Sequence, residues 1–426
     1  MTKRFPGKIA AAALGLALTA SLAACGGSGD KADDNAAGTA GAGITFWNGF
    51  TSSDRPAVEQ IVKNFNAAHP DEKVDMTIVA WDSFYQKLLP AYAAGNGPTV
   101  AGMDALQMPG YTSKNVFAPL DDLYADWPES KDFNQAAVDI TKFDGKQYGA
   151  PMSVTTTALY YNKTLMGKAG LTTPPKTLDE LAADAVKLTK VNPSDESKSV
   201  YGFAFPDHGA VSTMTAFMQA NGGGVVEDGK SVIASPASVQ TAQTWADHVR
   251  QQHISPIGLS GDQADALFAA GRVGFYINGP WASSSFTKSH VDFGVTSVPA
   301  GSVTQAATLN DVAMAVSAKA SAAQKKSAYD FIKFWNSPAQ QKYWAVTSGN
   351  SPTTSAVTPD QLSANPAAAQ FAAVTGGKAY IQGQTSFNQI DADVVVPTVQ
   401  KLFAGQGDAA TLFKAADAQI TPLLAK

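Results

Sequence analysis

The sequence predicts an α/β fold divided into two lobes. Three observations carry this reading. From Ile44 onward, strand-like and helix-like segments alternate. The stretch from Ile44 to Lys426 exceeds what one hydrophobic core usually organises. Cys25 is the only cysteine, so no intramolecular disulfide framework or cysteine metal site holds the chain, and apolar burial must do so.

The elements follow in order. Ile44-Thr45-Phe46-Trp47 reads as a short strand. Ser53 or Asp54 is placed to cap a helix opened by Arg55-Pro56, because proline's missing N–H is an orphan in a first turn anyway. Val58, Ile61, Val62 and Phe65 then form one apolar stripe at helical spacing. Val74 to Val79 alternates as a strand, and Asp82 is expected to cap the next helix, which carries Leu88, Leu89 and Tyr92. Strand, helix, strand, helix points to a parallel layer. Further on, Ala158 to Tyr161 is a strand candidate, and Thr177-Leu178-Asp179-Glu180 is a capping box. Asp262 to Ala270 reads as a short helix, Val273 to Ile277 as a buried strand, and Ala328, Phe331, Ile332 and Trp335 as another helical stripe.

The amino terminus has a different character. Lys3, Arg4 and Lys8 precede an apolar run from Ile9 to Ala24, the layout of a secretory signal and short for a membrane span. Leu22-Ala23-Ala24-Cys25 resembles a bacterial lipoprotein cleavage site, which implies acylation of Cys25. Two or more acyl chains anchor a protein stably. Gly26 to Gly43 is rich in small and polar residues and reads as a flexible tether. Setting aside Lys3, Arg4 and Lys8 takes 31 basic residues to 28, against 36 acidic ones, so the remaining chain is near −8. That balance argues against a nucleic-acid partner.

Catalytic and metal-binding patterns are thin. His69, His208, His248, His253 and His290 are scattered without H-E-x-x-H spacing, and no G-x-S-x-G elbow occurs. Gly224 to Ser231 matches a phosphate-loop pattern, but Asp228-Gly229 suits a hairpin better, and Glu227 and Asp228 would repel phosphates. Asp121/Asp122 and Asp391/Asp393 are carboxylate pairs that keep a glycoside hydrolase open as an alternative. No metal, cofactor or catalytic residue is assigned.

Three strand ends carry an aromatic residue beside a polar one: Trp47-Asn48, Trp81-Asp82 and Asn278-Gly279-Pro280-Trp281. Ligands of open α/β sheets lie beyond such carboxyl ends. Indole rings stack on the C–H faces of a sugar, while amides and carboxylates bond its hydroxyls.

Several segments, in order, resemble one family: Ile44 to Trp47, Trp81 to Leu89 followed by Gly95-Asn96-Gly97-Pro98, Val116 to Leu123, Asp144 to Pro151, Leu159 to Lys163, Pro174 to Leu181, Gly274 to Trp281 and Phe331 to Trp335. The chain resembles the family 1 extracellular solute-binding proteins, lipid-anchored receptors of carbohydrate ABC importers in Gram-positive bacteria. The resemblance implies a two-lobed, type II, maltose-binding-protein-like fold with several hinge crossings, near 151–157, near 309–312 and past Pro352. It implies a signal peptide over 1–24, a tether over 25–43, one lobe from 44–152 and 311–352, and a second from 153–310 and 353–426. Family pocket positions map onto Asn48, Trp81, Asp104, Ser153, Thr155, Gly279, Trp281, Asn310, Asp311 and Asn350. Trp81 and Trp281 are the expected stacking platforms, and Asp104 and Asp311 the expected acceptors of paired hydroxyls. Asn278 joins Ser153, Thr155, Asn310 and Asn350 in orienting the ligand, with Tyr85 and Gln107 further out. The implied partners are a sugar, the permease subunits and, through Cys25, the outer face of the cell membrane, with the receptor a monomer and no enzyme. Asn310-Asp311 and Gly349-Asn350-Ser351-Pro352 depart from the family pattern, so the sugar does not carry over. A receptor for glycerol phosphate esters remains an alternative, though no arginine follows Arg272.

Overall fold

The computed structural model describes residues 41–51, 54–207, 211–374, 376–379, 381 and 383–424, apart from the side chains of Asp82 and Asn310. The signal segment, Cys25 and most of the tether lie outside the described residues.

Two sheets organise the chain. The first contains β1 (Ile44–Asn48), β2 (Val74–Ile78), β3 (Val100–Asp104), β4 (Ala150–Thr156), and two later strands. The second contains β5 (Ala158–Asn162), β6 (Tyr201–Ala204), β7 (Val273–Asn278) and β8 (Phe293–Thr296), in the order β8-β5-β7-β6. The chain then returns to the first sheet through the ten-residue β9 (Ala307–Val316), which the short β10 (Gly377–Lys378) flanks.

The expected parallel layer is present in part. β1 pairs parallel with both β2 and β3, each linked by a helix. β9 runs antiparallel to β3 and to β4. The difference has a simple origin: β9 arrives straight from the second sheet as one extended segment, with no helical crossover to turn it round. In the second sheet, β5 is antiparallel to both β7 and β8.

Helices cover the sheets as their apolar stripes require. α1 (Arg55–Ala68) buries Val58, Ile61, Val62 and Phe65, and α7 (Ala322–Trp335) buries Ala328, Phe331, Ile332 and Trp335. Phe331 meets Phe46 at 5.2 Å and Phe65 at 5.1 Å, both edge to face, a geometry that aromatic quadrupoles favour. Behind the second sheet, Tyr160, Phe268 and Phe286 form a comparable cluster.

The start of α2 (Trp81–Ala93) corrects the sequence expectation. Ala80, not Asp82, stands at the N-cap, and no side chain caps this helix. The indole of Trp81 packs over Gly49 at the end of β1, which draws Trp81 into the first turn. Asp54 does occupy the N-cap position of α1, but its side chain makes no capping bond.

The Thr177 capping box of α3 (Leu178–Leu188) forms as expected, with Glu180 N donating to Thr177 Oγ1 at 3.1 Å and Thr177 N donating to Glu180 Oε2 at 3.3 Å. Thr177→Ala should destabilise the protein by about 1 kcal/mol, read by urea unfolding, while Thr177→Ser should restore most of the loss. The phosphate-loop lookalike is a hairpin: Val226–Glu227 pairs antiparallel with Lys230–Ser231, and Asp228 and Gly229 both take positive φ, 49° and 71°.

Candidate binding cleft

A cleft of about 450 Å³ opens beyond the carboxyl ends of the strands. This is within the range of small-molecule sites. Its walls come from segments attached to both sheets. Phe50, Thr51 and Asp54 follow β1, Trp81 and Tyr85 lie on α2, and Asp104 ends β3. Asp262 and Asp265 belong to α6 (Gly261–Ala269), and Trp281 follows β7. Ser153, Thr155, Asp311, Val312 and Asn350 form the floor.

The two tryptophans are seated in the same way. An added Cβ at Gly49 would strike the Trp81 ring, and one at Gly279 would strike the Trp281 ring, both far inside van der Waals contact. Each indole therefore lies across a glycine backbone that leaves room for it. Trp81 is further fixed by Tyr85, stacked at 5.8 Å, and by Phe50 and Phe84, edge-on at 5.5 and 5.6 Å.

The floor is built where β4 and β9 cross between the sheets. Asp311 pairs with Val154 and Val312 with Ser153, and the register shifts between Val312 and Ala313. Such a bulge re-aims neighbouring side chains. Thr155 Oγ1 donates to Asn350 Oδ1 at 2.9 Å. Asn350 follows Gly349, which ends α8 (Pro338–Ser348) with φ 84°. A Cβ there would come within 3.1 Å of the Pro280 carbonyl oxygen, so the loop lies close to the segment carrying Trp281.

Three carboxyl groups of the cleft are held away from their ordinary titration range. Burial pushes Asp311 up to about 7, tempered by the nearby Thr155 amide and reinforced by the charge of Asp104. Asp311 is 3% exposed, and neither carboxylate oxygen finds a hydrogen-bond donor among the described residues. Burial raises Asp104 to about 6 against the pull of the Leu106 amide, with Asp391 adding to the rise. Burial likewise raises Asp265 to about 6, opposed by hydrogen bonds from Tyr276 and Asn278 and assisted by Asp262.

Of the residues singled out in the sequence, Trp81, Asp104, Ser153, Thr155, Asp311, Asn350 and the outer candidate Tyr85 line this cleft. Others do not. Asn48 is fully buried behind the wall, where its Oδ1 accepts from Phe50 N at 3.2 Å and shapes the turn after β1. Asn278 sits one step back: its Nδ2 donates to Asp265 Oδ1 at 2.7 Å, so it positions a carboxylate that does line the cleft. Gly279 contributes backbone, its amide donating to Asn278 Oδ1 and its carbonyl accepting from Tyr160 Oη at 2.8 Å. Gln107 lies outside the lining, and the Asn310 side chain outside the described residues. Trp281 reaches the same cleft as Trp81.

Phe50, Thr51, Asp54, Asp262, Asp265 and Val312 were not singled out by sequence reasoning. Asp54 and Asp262 look like ordinary first-turn acids of helices. The missed signal was position: Phe50 to Asp54 directly follows a strand end, as Trp47-Asn48 does.

The profile of the bacterial extracellular solute-binding protein family matches residues 60–370. The chain belongs to this family. A putative binding protein of Brucella abortus is 27% identical to this solute-binding protein over 259 residues, 59% of this chain and 62% of that one. The diacetylchitobiose binding protein DasA of Streptomyces coelicolor is 31% identical over 287 residues, 64% of each. The chain thus spans less than two thirds of the length of these curated relatives. Maltose-bound MalE3 of T. maritima superposes with a TM-score of 0.79 at 24% identity, covering 90% of this chain and all of that one. The fold is that of the maltose-binding proteins.

Proposed function

We propose that this solute-binding protein takes up a sugar, most simply a short oligosaccharide, between Trp81 and Trp281 and delivers it to the permease of an ABC importer. The observation that carries the reading is the convergence of two indole plates, from elements of different sheets, over a floor of acceptors that includes Asp104 and Asp311. Indoles suit pyranose C–H faces, and a carboxylate accepts from two neighbouring hydroxyls at once. The names of relatives that bind diacetylchitobiose or maltose agree in ligand class.

In this reading one lobe is 44–152 with 311–352 and the other 153–310 with 353–426, so that β4 and β9 run from one lobe into the other. Ligand touching both walls favours the closed arrangement by its differential contacts. The closed monomer then docks on the permease, and acylated Cys25 holds it at the outer membrane face. No residue acts as a catalyst.

Thermal-shift screening followed by calorimetry, across neutral saccharides, amino sugars and phosphate esters, tests this. Stabilisation by saccharides without shortened products is expected. Cleavage of oligosaccharides would favour a hydrolase, and a response to phosphate esters alone a different receptor. Gly279→Ala should displace the Trp281 ring and weaken saccharide binding about tenfold, some 1.4 kcal/mol, measured by calorimetry.

A further inference from the structure

The cleft has an imbalance of charge that a neutral sugar leaves in place. Asp54, Asp104, Asp262, Asp265 and Asp311 line it, and no lysine, arginine or histidine appears among the described lining residues. Asp104 and Asp265 accept hydrogen bonds, and Asp262 is exposed. Asp311 is 3% exposed, faces the cleft, and has the Thr155 amide nearby, but neither oxygen has a hydrogen bond of ordinary geometry among the described residues.

Hydroxyl groups can fill the lone pairs of these carboxylates, but they cannot offset the repulsion among them. That repulsion is strong where water is excluded. A removed charge partner leaves a buried carboxylate costly, and a cation that arrives with the ligand reverses that cost. The flanking indoles do not oppose this, since their faces attract cations.

We propose that the ligand carries a protonated amine that seats against Asp311, so that the site takes an amino-sugar class of saccharide in preference to a wholly neutral one. This rests on the sugar-binding reading. It names the group that completes the floor at the β4–β9 crossing.

The test uses matched pairs that differ at one substituent: glucosamine and glucose, galactosamine and galactose, and the glucosamine disaccharide against both cellobiose and diacetylchitobiose. Calorimetry with the purified protein at pH 7.5 reads each affinity. The expected result is that an amine member binds at least tenfold tighter than its hydroxyl and acetamide counterparts, with an advantage that shrinks as salt is raised. Asp311→Asn should reduce that preference to below threefold, and Asp265→Asn should reduce it less. Thermal unfolding of each variant reports that it is folded. Neutral members binding as tightly as, or tighter than, their amines would overturn the proposal and leave the sugar reading standing. No binding by any pair, with none in the wider saccharide screen, would overturn both. A preference for amines unchanged in Asp311→Asn would overturn the assignment to Asp311.

Discussion

Trp281→Ala and Trp81→Ala each weaken saccharide binding strongly while the protein still folds. An indole covering one face of a pyranose removes on the order of 100 Å² of apolar surface from water, worth about 2–3 kcal/mol or roughly 30- to 150-fold in affinity. Trp81 contacts Phe50, Phe84 and Tyr85, so its truncation also unpacks the start of α2 and should lower the melting temperature. Trp→Phe at either site should recover much of the affinity, because a smaller ring retains the stacking face. Calorimetry of all four variants against the best saccharide checks this, and unchanged affinity in both alanine variants would remove the stacking platforms from the account.

Asp311→Asn should make the unliganded protein more stable at neutral and alkaline pH while it weakens ligand binding. The sign follows from the direction of the shift. Burial raises the folded-state value to about 7, above the 3.8 of a free aspartate, so the folded protein favours the protonated form. Ionising Asp311 therefore destabilises the fold. The penalty is absent below pH 4, grows through the interval to pH 7, and is full above it. A shift of about three pH units corresponds to roughly 4 kcal/mol at most, and solvent access from the cleft brings the expected gain to about 2–3 kcal/mol. Asparagine keeps the shape and removes the charge. Urea unfolding of wild type and variant at pH 4 and pH 8 should show near equality at the first and a more stable variant at the second. Equal stability at both would mean that burying the ionised Asp311 carboxylate does not cost the fold stability. A residue that costs stability in the free protein and accepts the ligand is an ordinary trade between fold and function.

Local signals made much of the fold legible. The Thr177 capping box, the Asp228-Gly229 hairpin and the stripes of α1 and α7 depend on neighbours in sequence, and each formed as read. The antiparallel return of β9 was not legible, because strand direction depends on where the chain comes from. The helix of Trp81 starts two residues earlier than an Asp82 cap implies, because the indole packs on Gly49, more than thirty positions away in sequence. The site divided in the same way. Trp81 and Trp281 were readable from their strand-end positions and the family pattern, and Asp311, mid-strand in β9, from the family pattern alone. Asp262 and Asp265 were not, since on a helix they resemble any solvated acid until β7 brings Asn278 against Asp265. Asn48 shows that a polar residue at a strand end can serve the turn as well as a ligand, since its Oδ1 accepts from Phe50 N.

The crystal structure of the complex with the tightest-binding saccharide tests the central claim most directly. The account predicts a sugar ring between the indoles of Trp81 and Trp281, with Asp104 and Asp311 within hydrogen-bonding distance of its polar groups. Saccharide bound elsewhere, with those two rings still bare, would contradict it.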